Sequence, residues 1–230
     1  MHPLHRHKHA ILLAALIVVA LVEPFSHRQA LGPVLSDLVT VTILLLVFLI
    51  VFNRRVNRLV AFLAWAAVVV AQGAHYLLPG ASEEPLRLLY HSAALLLVGF
   101  ATLVILRNIF EQRVVRVDDV LGAVCGYLLA AVAWSHLMLI EMFSPGSFSV
   151  GPGFGAGGDT WPGRIAMLYY VSFGALTGLG SGAVMPVRPP VTILTTLEAV
   201  FGQFYIAVVV AQLVGARLSQ APQRQSSPQA

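Results

Sequence analysis

What most limits the fold of this chain is a succession of long apolar runs. Pro33–Phe52, Leu59–Leu78, Leu88–Leu106, Val120–Phe143 and Val191–Leu213 approach or exceed bilayer length. A helix needs about 20 apolar residues to cross the hydrocarbon core. A sixth run, Ala10–Val22, is shorter, follows the basic stretch HPLHRHKH and ends at Glu23-Pro24. It reads either as a signal peptide with a positive n-region and a short apolar core, or as a first transmembrane helix lengthened by snorkelling His and Lys. The helix reading is preferred, because no small-x-small cleavage site follows Val22. Composition agrees: 58% of residues are hydrophobic and 10% charged, against roughly 25% charged in soluble domains. The lone Cys125 excludes an intramolecular disulfide.

The loops set the expected orientation. Residues 53–58 carry Arg54, Arg55 and Arg58, and residues 107–119 carry Arg107, Arg113 and Arg116. The intervening LLPGASEEPLR is acidic until Arg87. Basic short loops stay in the cytoplasm. Six spans with both termini cytoplasmic satisfy that rule, and they leave segment 144–190 outside a plasma or inner membrane. Residues 219–230 read as a disordered cytoplasmic tail, being rich in Gln, Ser and Pro.

The outside segment is unusual. SPGSFSVGPGFGAGGD reads as a flexible turret, 144–160. WPGRIAMLYYVSF then reads as a short helix, 162–175, with Pro162 in its first turn. Ile165, Leu168 and Tyr169 fall on one face of it. Fourteen residues make a helix of about 20 Å, which enters a membrane without crossing it. A strip follows, 177–183: Thr177, Gly178, Leu179, Gly180, Ser181, Gly182, Ala183. Alternate glycines permit φ > 0, which lets carbonyls point one way. Non-helical backbone at membrane depth is tolerated where it lines a water-filled cavity or is buried in protein. Two readings follow: a strip presenting carbonyls to a cation, or a plain Gly-rich turn between helices.

In the last run, Thr195, Glu198, Gly202, Tyr205 and Gln212 recur at helical spacing on one face. A polar stripe on a membrane helix faces protein or water. It lines a cavity or braces the short helix on one reading; on the other it makes interhelical hydrogen bonds. Gly202 reads as a hinge or as a close-packing site.

Residues 170–186, YVSFGALTGLGSGAVMP, resemble the pore loop of bacterial potassium-channel-like membrane proteins, which reads Tyr-Phe-Ser-Phe-Val-Thr-Leu-Thr-Thr-Leu-Gly-Tyr-Gly-Asp-Ile-Thr-Pro. This chain keeps Tyr170, Ser172, Phe173, Leu176, Thr177, Leu179, Gly180, Gly182 and Pro186. The final run is similar to the family's inner helix, Leu-Glu-Ala-x-x-Gly-Gln-x-Tyr-x-Ala, here Leu197 to Ala207. The preceding run resembles the outer pore helix. The resemblance covers residues 116–218 and is mainly topological before them. It implies a homotetramer with four strips around one axis and filter carbonyls from 178 to 181. The chain departs from the pattern with Gly178 for Thr, Ser181 for the wedging aromatic, Ala183 for Asp, and Gly174 and Ala175 for Val and Thr. Extra glycines add backbone entropy of roughly 0.5–1 kcal/mol each relative to Ala. Weak potassium selectivity is the expected consequence.

The expectation is therefore an all-α membrane protein of six transmembrane helices, with a re-entrant pore helix and filter-like loop between the last two. Residues 1–110 hold four N-terminal spans. Residues 111–218 form a pore module: outer helix 119–143, turret, pore helix, strip and inner helix 191–216. The expected function is a weakly selective tetrameric cation channel subunit passing K+ or Na+. The alternative is a non-conducting channel-fold protein that assembles with or regulates other subunits. Leu88–Leu106 contains no arginine, so it lacks the repeat a voltage sensor needs. No phosphate loop, zinc spacing or nucleophile elbow appears, so no enzyme activity, cofactor, bound metal or nucleic acid is expected. The partners are the bilayer and further copies of the chain.

Other polar residues read as structural. His2, His5, His7 and His9 make a solvated basic flank rather than a metal site, and Asp118 and Asp119 open a helix. His75, His91 and His136 stand on different spans as bundle hydrogen-bonders, and Trp161, Tyr169 and Tyr170 suit the outer interface. Glu141 and Arg164 are a possible pair, with separate headgroup solvation as the default.

Overall fold

The computed structural model describes residues 8–26, 32–52, 55–77, 83–111, 116–142, 147–150, 161–180 and 182–219. These form seven helices and one two-stranded ribbon: α1 (Lys8–Ser26), α2 (Gly32–Val51), α3 (Arg55–Leu77), α4 (Glu83–Glu111), α5 (Val117–Glu141), β1 (Phe148–Val150), α6 (Trp161–Thr177), β2 (Val184–Pro186) and α7 (Pro189–Ser219). Among the described residues four stretches are long and apolar enough to cross a membrane: Asn57–Leu77, Glu83–Glu111, Val117–Glu141 and Pro189–Ala216. The apolar stretches Lys8–Val18 and Leu38–Val51 are shorter. Among the described residues the fold is all-helical apart from the ribbon, and the four long apolar helices are compatible with a multi-pass membrane protein.

Helix ends follow local chemistry. Glu83 and Glu84 open α4, where carboxylates suit the positive end of the dipole, and Arg87 one turn on pairs with Glu83. Arg107 pairs with Glu111 at 2.6 Å in the last turn. At α5 the Arg116 backbone N–H donates to the Asp119 carboxylate at 2.8 Å, satisfying a donor that the helix itself leaves free. Pro189 and Pro190 start α7, where a missing N–H is no loss.

Helix α5 is the hub. It packs against α1, α4, α6 and α7. Within its membrane-length window 61% of residues are buried, against 17% for α3 and for α7. Small residues make this possible: Gly122, Ala123, Gly126, Ala130 and Ala131 are buried on α5, and Ala93, Ala94 and Ala101 on α4. Between membrane helices close approach replaces the hydrophobic effect as the source of association. Phe52, at the turn after α2, stacks on Phe100 with ring centroids 5.1 Å apart.

The N-terminal helix docks through Leu12, which is buried in the core, and through the polar contacts of His9. The His9 backbone N–H donates to Asp118 at 3.2 Å, and its ring Nδ1 lies 2.9 Å from the other carboxylate oxygen. The Cys125 thiol donates to the His9 carbonyl at 3.4 Å. His9 thus has a tertiary partner where the sequence suggested solvation, and Asp118 holds α1 as well as opening α5. His2, His5 and His7 lie outside the described residues.

The helices expected within residues 111–218 fall close to their expected bounds. The outer helix is 117–141 rather than 119–143, the short helix 161–177 rather than 162–175, and the last helix 189–219 rather than 191–216. The segment expected to be only flexible differs. Residues 148–150 form β1, which pairs antiparallel with β2: Phe148 opposite Pro186, Ser149 opposite Met185, Val150 opposite Val184. An isolated two-stranded ribbon is marginal in water. Here Phe148 and Val184 pack onto Met138, Leu139, Met167, Leu168 and Val171, giving the ribbon its own core. Residues 151–160 and 220–230 lie outside the described residues.

Candidate functional site

The site begins where α6 ends. Gly178 takes φ +76°, a left-handed conformation that stops a helix and favours glycine. Its N–H donates to the Ala175 carbonyl at 3.1 Å, and the Gly180 N–H donates to Gly174 at 3.0 Å. Gly180 and Gly182 also have positive φ, +77° and +45°. The expected alternation is therefore present on both sides of Leu179. Thr177, Gly178, Leu179, Gly180 and Gly182 are all exposed on the single chain; Ser181 lies outside the described residues. The Thr177 hydroxyl donates to Phe173 of its own helix at 2.7 Å.

The depth of this point follows from its partners. The Tyr127 hydroxyl donates to the Leu176 carbonyl at 2.9 Å. Tyr127 stands ten residues beyond Val117, the start of the 25-residue α5, or about 15 Å along it. Helix α6 therefore runs antiparallel to α5 and stops level with its middle. The chain then returns to the ribbon beyond the far end of α5.

Helix α7 braces the stopping point. A Cβ built on Gly202 would stand 1.9 Å from the Leu176 carbonyl oxygen, so only glycine permits this approach. The Tyr205 hydroxyl donates to the Ala123 carbonyl of α5 at 2.7 Å. Gly126 makes room for that phenol, since a Cβ there would lie 2.7 Å from its oxygen. One turn above Gly202, Glu198 is wholly buried. One of its carboxylate oxygens meets the Ser172 hydroxyl; the other has no hydrogen-bond partner among the described residues. Ser172 also stands 2.7 Å from the Ala131 carbonyl. A serine has one proton, so it serves one of these two oxygens at a time.

The polar stripe expected on the last helix thus faces protein within the chain. Glu198, Gly202 and Tyr205 contact α5 and α6, Thr195 is half-buried and bonds Val191 of its own helix at 2.9 Å, and Gln212 is half-buried. At Gly202 the geometry is that of close packing, and α7 runs unbroken through it. The opposite face of α7 is bare: Leu197, Val200, Phe204, Val208 and Val214 are exposed.

Two groups escaped the sequence. Gln203 lies on the exposed side of α7 with its amide nitrogen 3.1 Å from where a Cβ on Gly178 would be. It was one polar residue among several, and nothing local placed it beneath the strip. His91 and His136, read as separate, have their Nδ1 atoms 3.0 Å apart. Among the described residues Glu141 and Arg164 form no ion pair; instead the Glu141 carbonyl accepts from the Ser147 hydroxyl at 3.1 Å. Trp161 at the start of α6 carries the Arg87 guanidinium 4.4 Å above its ring, a cation–π contact.

The chain matches no family model, no curated protein and no solved structure.

Proposed function

We propose that this chain is a subunit of a tetrameric, weakly selective monovalent-cation pore in a plasma or inner membrane. The proposal takes all six apolar helices as spans, α6 as re-entrant, and both termini as cytoplasmic. One observation carries it: left-handed Gly178, Gly180 and Gly182 follow a helix that stops level with the middle of α5, and they are exposed on the single chain. Bare non-helical backbone at that depth is costly against lipid and tolerated against water or protein. Further copies of the chain would enclose it. The bare face of α7 is the surface along which they would meet.

In such a pore the carbonyls of the strip replace part of a cation's hydration shell. The brace formed by Gly202, Tyr127 and the Ser172–Glu198 contact holds the end of α6. The strip beyond it is built largely of glycine. Its glycines carry high conformational entropy, and Ser181 stands where similar pores place an aromatic. A compliant strip presents oxygens without a fixed spacing, which favours passage over discrimination.

The test is reconstitution of the purified full chain in liposomes with potassium and sodium flux measured separately. The expected result is flux of both ions, with a preference below about tenfold, a difference of about 1.4 kcal/mol. Strong potassium selectivity would refute the compliant strip. A tetramer-sized particle with no flux would leave a non-conducting assembly partner, and a monomeric particle would remove the pore.

A further inference from the structure

The His91–His136 pair belongs to none of the features above. His91 is on α4 and His136 on α5, and each is 2% exposed. Their Nδ1 atoms face each other at 3.0 Å, the length of a hydrogen bond. Trp161 of α6 lies against His91 with ring centroids 5.7 Å apart, and Tyr169 of α6 against His136 at 6.2 Å. The pair therefore clamps the first half of α6 to the α4–α5 hub.

Proton counting gives the clamp a property that ordinary packing lacks. Two imidazoles have four ring nitrogens. With one proton shared between the facing Nδ1 atoms, the closed pair holds three ring protons at most. The fourth would set two N–H donors and two positive rings against each other at hydrogen-bond distance. The surroundings offer that charge no relief. From α4 come Arg87, whose cation sits on Trp161, and Tyr90, which contacts both histidine rings. Of the two α4 carboxylates near Arg87, Glu83 is paired with it and Glu84 is exposed to solvent. From α6 come Trp161 and Tyr169, with Arg164 exposed between them. On α3, His75 is exposed and contacts Tyr76.

We propose that the His91–His136 pair is an acid-sensitive latch: uptake of a second proton parts the rings and frees the start of α6 from α4 and α5. The open form binds one more proton than the closed form. By linkage, acidification shifts the equilibrium toward it by up to about tenfold per pH unit. The latch rests on the geometry of one chain and does not depend on the pore. In a conducting protein it would make the hold on α6 respond to pH at the end of α5 opposite the Arg-rich loops.

The experiment uses Trp161 as reporter. The full chain carrying Trp65→Phe and Trp134→Phe is titrated from neutral to acid pH in nanodiscs while tryptophan emission is followed. An imidazolium beside an indole quenches it, and parting of the rings moves the indole. The expected result is a reversible emission change that His91→Gln abolishes, since glutamine bonds but does not titrate, and that His136→Gln moves to higher pH, because the lone His91 beside Trp161 then takes up its proton with no second positive ring to oppose it. An emission unaffected by acid, or the same titration in both variants, overturns the latch. If the tryptophan-depleted chain does not fold, 15N-histidine labelling of the unsubstituted chain gives the same decision. Two ring systems that stay hydrogen-bonded through the whole titration overturn the proposal; joint loss of that bond on acidification supports it.

Discussion

Gly202 and Leu176 meet backbone to backbone: a methyl on Gly202 would stand 1.9 Å from the Leu176 carbonyl oxygen. The obstacle is main chain at the last turn of α6, and main chain cannot swing aside. Gly202→Ala should therefore force α7 away from α6 and cost at least the ~1–3 kcal/mol typical of overpacking. Thermal unfolding in detergent, followed by size-exclusion of the assembled particle, measures it. An alanine variant as stable as the parent would show that the contact is not as close as described.

Ser172 and Glu198 predict an order of effects. Glu198→Gln keeps the shape and supplies an N–H to the Ser172 oxygen while that hydroxyl serves Ala131. It should change stability little. Ser172→Ala removes the only described partner of a wholly buried carboxyl group. An unsatisfied buried polar group costs about 1–3 kcal/mol, more if charged. Denaturant unfolding of the two variants side by side checks the ranking, and a reversed order would contradict the hydrogen-bond assignment.

The strip and the bundle should answer a Gly→Ala change with opposite signs. A Cβ on Gly180 meets nothing within 4 Å, so only its φ of +77° opposes alanine. The left-handed penalty is roughly 1–2 kcal/mol. Gly99, mid-helix on α4 and equally open, should gain about 0.5–1 kcal/mol as alanine. The difference between the two melting temperatures isolates backbone conformation from packing. Equal shifts would mean that the strip is not held in this conformation.

Gln203 offers a readout of permeation itself. Its amide sits against Gly178 on the open side of α7. If copies of the chain surround a pore, Gln203→Glu puts a carboxylate from each at the inner end of the strip. Focused negative charge raises local cation concentration by about 10-fold or more. Cation flux at low ionic strength should rise and the gain should fade as salt is added. Flux unchanged at both ionic strengths, in a protein that conducts, would place Gln203 off the ion path.

Much of the architecture was legible because it is written in short-range patterns. Each of the six apolar runs became a helix, four of them long and apolar enough to cross a membrane, since such a run satisfies its backbone only within itself. Gly178, Gly180 and Gly182 announced where α6 stops and how the chain continues, because φ > 0 is a property of the residue. The spacing of Glu198, Gly202 and Tyr205 put them on one face of α7. What the sequence could not say was what that face touches. Gly202 reads equally as hinge or packing site until the Leu176 carbonyl is found beneath it. His91 and His136 are 45 positions apart, His9 and Asp118 109, and the partners of β1 lie beyond a helix. Such meetings depend on the order in which helices pack and on the rotation of each about its axis. Those are settled by many small contacts summed over whole faces, and no local stretch of sequence contains that sum.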